Sequence, residues 1–229
     1  MSTSGGYGQF CPVAMAAEIL SNRWTIVLLR ELIAGSTRFN DLRKGLSRMS
    51  PTLLSRRLRE LETAGIVEHT SGPNADYRLT PAGRDLSTVV EAFGIWGQRW
   101  MSRHLSLQNL DPFLLMLDMK RNVQPELMPR RQVVIHFSYP ELSPSRRRWW
   151  LIVERGDVEI TQRDPLVDPD LVVTGPLAAT TEIWMGLTTV AKEVRGGRLK
   201  ISGDRKIAAT MQQWLGLSPF ASEPKRVAA

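Results

Sequence analysis

The residues with the most pointed chemistry lie between Arg38 and Arg59. Seven of them are basic (Arg38, Arg43, Lys44, Arg48, Arg56, Arg57 and Arg59) and one, Asp41, is acidic. Within this run, Ser50 and Pro51 form an N-cap and first-turn pair that opens a helix. Leu54, Leu58 and Leu61 then recur at i, i+4 and i+7, and Gly65 stops the helix. The face opposite the leucines carries Thr52, Ser55, Arg56 and Arg59. Short hydroxyls near the start of a helix, with guanidiniums along it, suit the major groove of duplex DNA. An arginine there can hold a guanine edge through two hydrogen bonds, worth roughly 1–3 kcal/mol of discrimination. The competing reading of a basic run is a solvated surface, with Arg56 and Arg59 paired to Glu60 and Glu62.

Other reactive residues are sparse. Cys11 is the single cysteine. It precedes Pro12 at a predicted helix N-terminus, where the dipole favours the thiolate; a small buried apolar side chain is the alternative. His69, His104 and His136 share no metal-ligand spacing. Gly5-Gly6-Tyr7-Gly8 lacks the lysine and the preceding strand of a phosphate-binding loop. No nucleophile stands with a base, so neither an enzyme nor a cofactor is expected.

The elements that would position these residues follow from periodicity. The chain has 229 residues, 42% hydrophobic and 23% charged, enough for one large domain or two smaller ones. No apolar run approaches the roughly 18 residues of a membrane span. No secretory leader is visible, and one cysteine fits a reducing cytoplasm. The net charge of +7 points to a polyanionic partner. Cys11-Pro12 to Leu20 reads as a first helix with Pro at an early position. A second, capped by Asn22, carries the stripe Trp24, Val27, Leu28, Leu32 and ends at Gly35. A short helix from Arg38 to Gly45 buries Phe39 and Leu42. After the Ser50-capped helix, Ile66–Thr70 and Tyr77–Leu79 form a hairpin, and Thr80-Pro81 starts a long helix toward His104. Helices followed by a hairpin and another helix are the order of a winged helix, in which one helix enters the major groove.

Cys11-Pro12-Val13, Trp24 to Leu32, Arg38-Phe39-Asn40-Asp41-Leu42, Ser50-Pro51 with Leu54 to Leu61, Gly65-Ile66-Val67 and Tyr77 to Gly83 resemble, in that order, the HxlR-type winged-helix transcriptional regulators. The resemblance runs from Cys11 to about His104. It implies a cytoplasmic bacterial regulator that binds double-stranded DNA as a homodimer, joined through the first helix and the helix bearing Trp96 and Trp100. A symmetric dimer requires an inverted-repeat operator. By motif position, the recognition helix is Pro51 to Ala64, capped by Ser50, which counts among the DNA-binding residues, with Thr52, Ser55 and Arg56 nearest the bases. Arg38, Lys44, Arg48 and Arg59 are placed to clamp phosphates, and Arg78 sits on the wing. Arg57 lies nearer the leucine stripe. Some regulators of this type sense oxidants through a cysteine placed like Cys11.

The rest of the chain has a different pattern. Asp111-Pro112 opens a helix. Gln132–Phe137, Trp149–Val153, Val158–Thr161 and Leu171–Thr174 read as strands, with a turn at Arg155-Gly156-Asp157. Two helices fill Leu177 to Arg195, Arg198–Ile201 makes a fifth strand, and Asp204 starts a helix bearing Ile207, Met211, Trp214 and Leu215. The fold class expected is therefore mixed: a mainly α winged helix over residues 1–104, then an α+β domain over 105–229. Leu171 to Gly175, the segment around Trp184 and Gly186, and Gly197 to Asp204 resemble the sterol carrier protein type-2 fold. That resemblance implies an apolar tunnel, for which Trp149, Trp150, Ile183, Trp184, Leu187, Met211 and Trp214 are the candidate lining. Two readings follow. One is a DNA-binding regulator with a hydrophobic effector in its second domain. The other is a carrier of hydrophobic molecules whose winged helix serves assembly.

Overall fold

A computed structural model describes residues 6–70, 72, 75–102 and 107–227. They form two compact units, Met1–Gly94 and Ile95–Ala229. The division falls within a helix, where the sequence places it after His104; residues 103–106 lie outside the described set.

In the first unit, α1 spans Pro12–Leu20, α2 Thr25–Ile33, α3 Phe39–Gly45 and α4 Pro51–Thr63. Strands β1 (Val67–His69) and β2 (Tyr77–Leu79) pair antiparallel, and α5 runs Pro81–Trp100. One apolar cluster holds these elements together: Leu28, Leu29 and Leu32 of α2, Leu42 of α3, Leu54, Leu58 and Leu61 of α4, and Val67 of β1. The start of α2 differs from expectation. Trp24, with φ +80°, precedes its first turn, while the Asn22 side chain turns back to the Glu18 and Ile19 carbonyls of α1. Asn22 therefore closes α1 and does not cap α2. The buried stripe of α2 is shifted accordingly, to Thr25, Leu28, Leu29 and Leu32, and Val27 points outward. At the start of α5, the Thr80 hydroxyl accepts the Gly83 N–H. A Cβ on Gly83 would lie 2.2 Å from the Ile66 carbonyl oxygen, so glycine lets this helix approach the wing.

The second unit is a five-stranded sheet with helices. Helix α6 spans Pro112–Asn122, followed by a 3-10 turn, Pro125–Leu127. Strands β3 (Val133–Ser138), β4 (Arg148–Glu154), β5 (Asp157–Thr161), β6 (Leu171–Thr174) and β7 (Lys200–Gly203) stand in the order β5-β4-β3-β6-β7. Helices α7 (Leu177–Trp184) and α8 (Val190–Arg195) precede β7; α9 (Arg205–Ala209) and α10 (Met211–Trp214) follow it. Alternate strand residues separate the two faces. Val133, Ile135, Phe137, Trp149, Leu151, Val153, Leu171 and Val173 join Met116, Ile183, Met211 and Trp214 in one core. The last helix is expected to be continuous but is broken at Thr210. The Thr210 hydroxyl donates to the Lys206 carbonyl, and the Trp214 indole N–H takes the Ile207 carbonyl at 2.8 Å. Gly216 has φ +55°, and a Cβ there would meet the Asn122 carbonyl oxygen at 1.4 Å, so only glycine closes this end.

On the other face of the sheet His136 stacks on Trp150, with ring centroids 4.8 Å apart. Burial, reinforced by Arg148, holds the imidazole pKa below its usual value against the opposing pull of Asp164. The lowered pKa sets the sign. Stability from neutral His136 is complete above the unfolded-state pKa of about 6.5 and is lost as the pH falls toward the lower folded value. Thermal unfolding should therefore show a lower midpoint at about pH 5.5 than at about pH 7.5, and His136→Gln should reduce that difference. An equal pH dependence in wild type and variant would contradict this.

Candidate nucleic-acid interface

Helix α4 is amphipathic in the way its sequence demands. The Ser50 hydroxyl accepts the Leu53 N–H at 3.3 Å, which fixes where the helix begins. Leu54, Leu58 and Leu61 are almost wholly buried. Because these three face the core, Thr52, Arg56 and Arg59 are exposed and Ser55 is half-buried beside them. These four positions recur at i, i+3, i+4 and i+7, so they share one helix face. The structure brings together the residues expected to meet bases.

The remaining basic residues surround that face in different states. Arg38 is exposed at the N-cap of α3. Lys44 reaches Asp41 at 3.3 Å, and Arg56 lies 3.9 Å from Glu60. These are exposed pairs worth about 0–1 kcal/mol, readily exchanged for phosphate. The Arg59 Nε donates to the Ser55 carbonyl at 3.3 Å. Arg48 is exposed. Ser50 is committed to its cap, which orients the helix. Arg78 of the wing is drawn to Asp76 at 2.8 Å. Asp76 also binds the Thr70 hydroxyl, and these hydrogen bonds hold its pKa below the carboxylate norm. His69 and Tyr77 stack across the two strands at 4.4 Å. The Tyr77 N–H donates to the Thr37 carbonyl, tying the wing to the segment before α3.

Arg57 has a different place from its neighbours. Its side chain is only 11% exposed. Its Nε donates to the Arg23 carbonyl at 3.2 Å, and it pairs with Glu60. It therefore struts α4 against the turn between α1 and α2, a role foreshadowed only by its angle near the leucine stripe. Glu31 provides a second polar tie that periodicity does not reveal. This buried carboxylate meets Arg30 at 2.6 Å, accepts from Ser36, and lies where Gly45 has no side chain.

Cys11 is half-buried at the N-cap of α1. Backbone N–H groups of Ala14 and Val13 lower its thiol pKa, opposed by slight burial. On the same helix Val13 and Met15 are exposed. Val89, Phe93, Trp96 and Trp100 of α5 form an exposed stripe at i, i+4, i+7 and i+11, with Phe93 at 58% and Trp96 at 55%. Gln98, facing elsewhere, donates to the Met185 carbonyl, and Arg99 pairs with Glu223 at 2.6 Å.

Of the seven residues expected to line a tunnel, Trp149, Ile183, Met211 and Trp214 are buried in the core, with Trp184 packed against it. Leu187 is half-buried. Trp150 stands on the opposite face of the sheet against His136, so it cannot share a cavity with its strand neighbour Trp149. Among the described residues there is no cluster of three or more metal-ligating side chains, and no helix is long and apolar enough to cross a membrane.

A hairpin beside a helix with an outward basic face defines a winged-helix regulator of transcription. The model of the HxlR-like helix-turn-helix family matches residues 19–105. An uncharacterised HTH-type transcriptional regulator of Synechocystis is 35% identical over 100 residues, covering 42% of this chain and 74% of its own length. A second, from Mycobacterium tuberculosis, is 35% identical over 136 residues, 51% of this chain and 85% of that protein. The solved structure of the redox regulator HypR in its reduced form is 32% identical over 38% of this chain and 91% of its own, with a TM-score of 0.35. The chain belongs to the HxlR-like helix-turn-helix family.

The strut gives a prediction. Arg57→Met keeps the apolar stem but leaves the Arg23 carbonyl without its donor and Glu60 with Arg56 alone, at 3.9 Å. Chemical denaturation should show a loss of about 0.5–1.5 kcal/mol, because water can replace the lost donor at these exposed acceptors. An unchanged midpoint would remove the strut role.

Proposed function

We propose that the chain binds an inverted-repeat operator as a homodimer, acting on DNA in the cytoplasm. The observation that carries this reading is the outward face of α4: Thr52, Ser55, Arg56 and Arg59 are presented together by a helix whose other side is locked into the core. Thr52, Ser55 and Arg56 read bases. Arg38, Lys44, Arg48, Arg59 and Arg78 neutralise phosphates, and Ser50 sets the helix start. Phosphate contacts supply affinity and salt dependence, whereas base contacts supply sequence choice. The exposed stripe Val89, Phe93, Trp96 and Trp100, with the exposed Val13 and Met15 of α1, supports pairing of two copies. Ser55→Ala and Arg56→Ala should each reduce preference for the operator over scrambled duplex by about 5–150-fold. Lys44→Ala should weaken both duplexes alike and reduce the salt slope by about one. Retained sequence preference in both α4 variants would refute this assignment of the recognition face.

We also propose that residues 105–229 form a sterol-carrier-like domain that takes a hydrophobic effector, with residues 1–104 as the DNA-binding and dimerisation domain. The five-stranded sheet with an apolar core against helices supports it. Such an effector would shift DNA binding only by favouring one arrangement of the protein over another. A second reading, redox control through Cys11, is favoured by its lowered thiol pKa and partial exposure. Diamide should then change operator affinity in the wild type and leave Cys11→Ser unaffected; an unaltered wild type would eliminate this reading.

A further inference from the structure

The second unit carries an open cleft of about 280 Å³ between the 3-10 turn with its following Met128-Pro129 and helices α9 and α10. We propose that this cleft binds a small amphipathic carboxylate whose apolar body is about the size of one ring. The inference rests on the reading that this unit takes a hydrophobic molecule, and it gives that molecule a place and a charge.

Size comes first. The volume sits just below the roughly 300–1,000 Å³ of ordinary small-molecule sites, which suits a compact ligand better than a sterol or a long acyl chain. Met128, Ile207 and Trp214 beneath the cleft are nearly or fully buried, so the apolar surface a ligand can meet is Leu127 and the exposed Pro129. Leu127, at the rim, is 45% exposed, so a ligand would cover apolar surface that water now touches. Neutral donors of the lining are already engaged. The Trp214 N–H is held by the Ile207 carbonyl, and the Thr210 hydroxyl by the Lys206 carbonyl.

The charged member of the lining is Lys206, whose ammonium makes no ion pair among the described residues. Its acidic neighbour Asp204 accepts the Lys206 and Ile207 N–H groups, faces Arg131 at 3.9 Å and shares its charge between Arg131 and Lys206 without a direct ion pair to the lysine. Arg130 and Arg205, next in sequence to lining residues, are exposed, against one exposed acid on the turn, Glu126. Lys206 and the apolar rim beside it select a carboxylate over an alcohol, and an alcohol over an amine.

Isothermal titration of the full chain with 3-phenylpropionate, 3-phenylpropanol and 3-phenylpropylamine tests this directly. The carboxylate should bind about tenfold more tightly than the alcohol, with the amine weakest. Lys206→Gln, at an exposed position, should bring carboxylate and alcohol together. Leu127→Glu, also exposed, should weaken the carboxylate most. If the carboxylate binds but neither substitution alters it, the site lies elsewhere: this inference falls while the broader effector reading stands. If none of the three binds, this inference falls while the broader effector reading stands. An amine preference would overturn the assigned charge.

Discussion

The burial of Leu54, Leu58 and Leu61 is the interaction on which the first unit depends. These three side chains are the part of α4 that the core of α2, α3 and β1 accepts, and their spacing leaves the helix one rotational setting. A large-to-small change at such a site costs about 2–5 kcal/mol, a sizeable share of a domain's stability. Everything proposed about DNA reading follows from that setting, because Thr52, Ser55, Arg56 and Arg59 are outward only while the leucines are inward. Ser50 fixes where the helix begins, and Arg57 fixes it against the turn between α1 and α2.

The wing and the second unit use the same economy of polar ties around apolar cores. Asp76 joins Thr70 to Arg78, while Asp170 joins the Val134 N–H to Arg131. In the second unit Arg198 bridges the nearly buried carboxylates of Glu182 and Glu193, each at 3.0 Å. Buried charges of this kind are costly to leave unpaired, so these ties fix conformation as much as they add stability.

Much of this was legible in the residues. The Ser50-Pro51 cap, the leucine spacing and Gly65 locate α4, and short apolar runs bounded by turn residues locate five strands of the second unit, the last of them two residues early, at Arg198–Ile201 against Lys200–Gly203. Failures came where tertiary partners intervened. Asn22 is a good N-cap by type, yet the carbonyls of α1 compete for its amide. The break at Thr210 depends on an indole seven residues from the carbonyl it binds. Trp149 and Trp150 are both apolar and buried, and only the pleat shows that they face opposite ways. The cleft at Lys206 joins a turn and two helices some eighty residues apart, a neighbourhood no local pattern encodes.

The outward face of α4 is the part of the chain proposed to select a DNA sequence. Fluorescence anisotropy with duplex DNA from just upstream of the chain's own gene, against a scrambled duplex at two salt concentrations, tests it most directly. The native sequence should be preferred by at least roughly a thousand-fold. Equal binding of both duplexes, vanishing together as salt rises, would contradict it and leave only the +7 net charge acting on a polyanion.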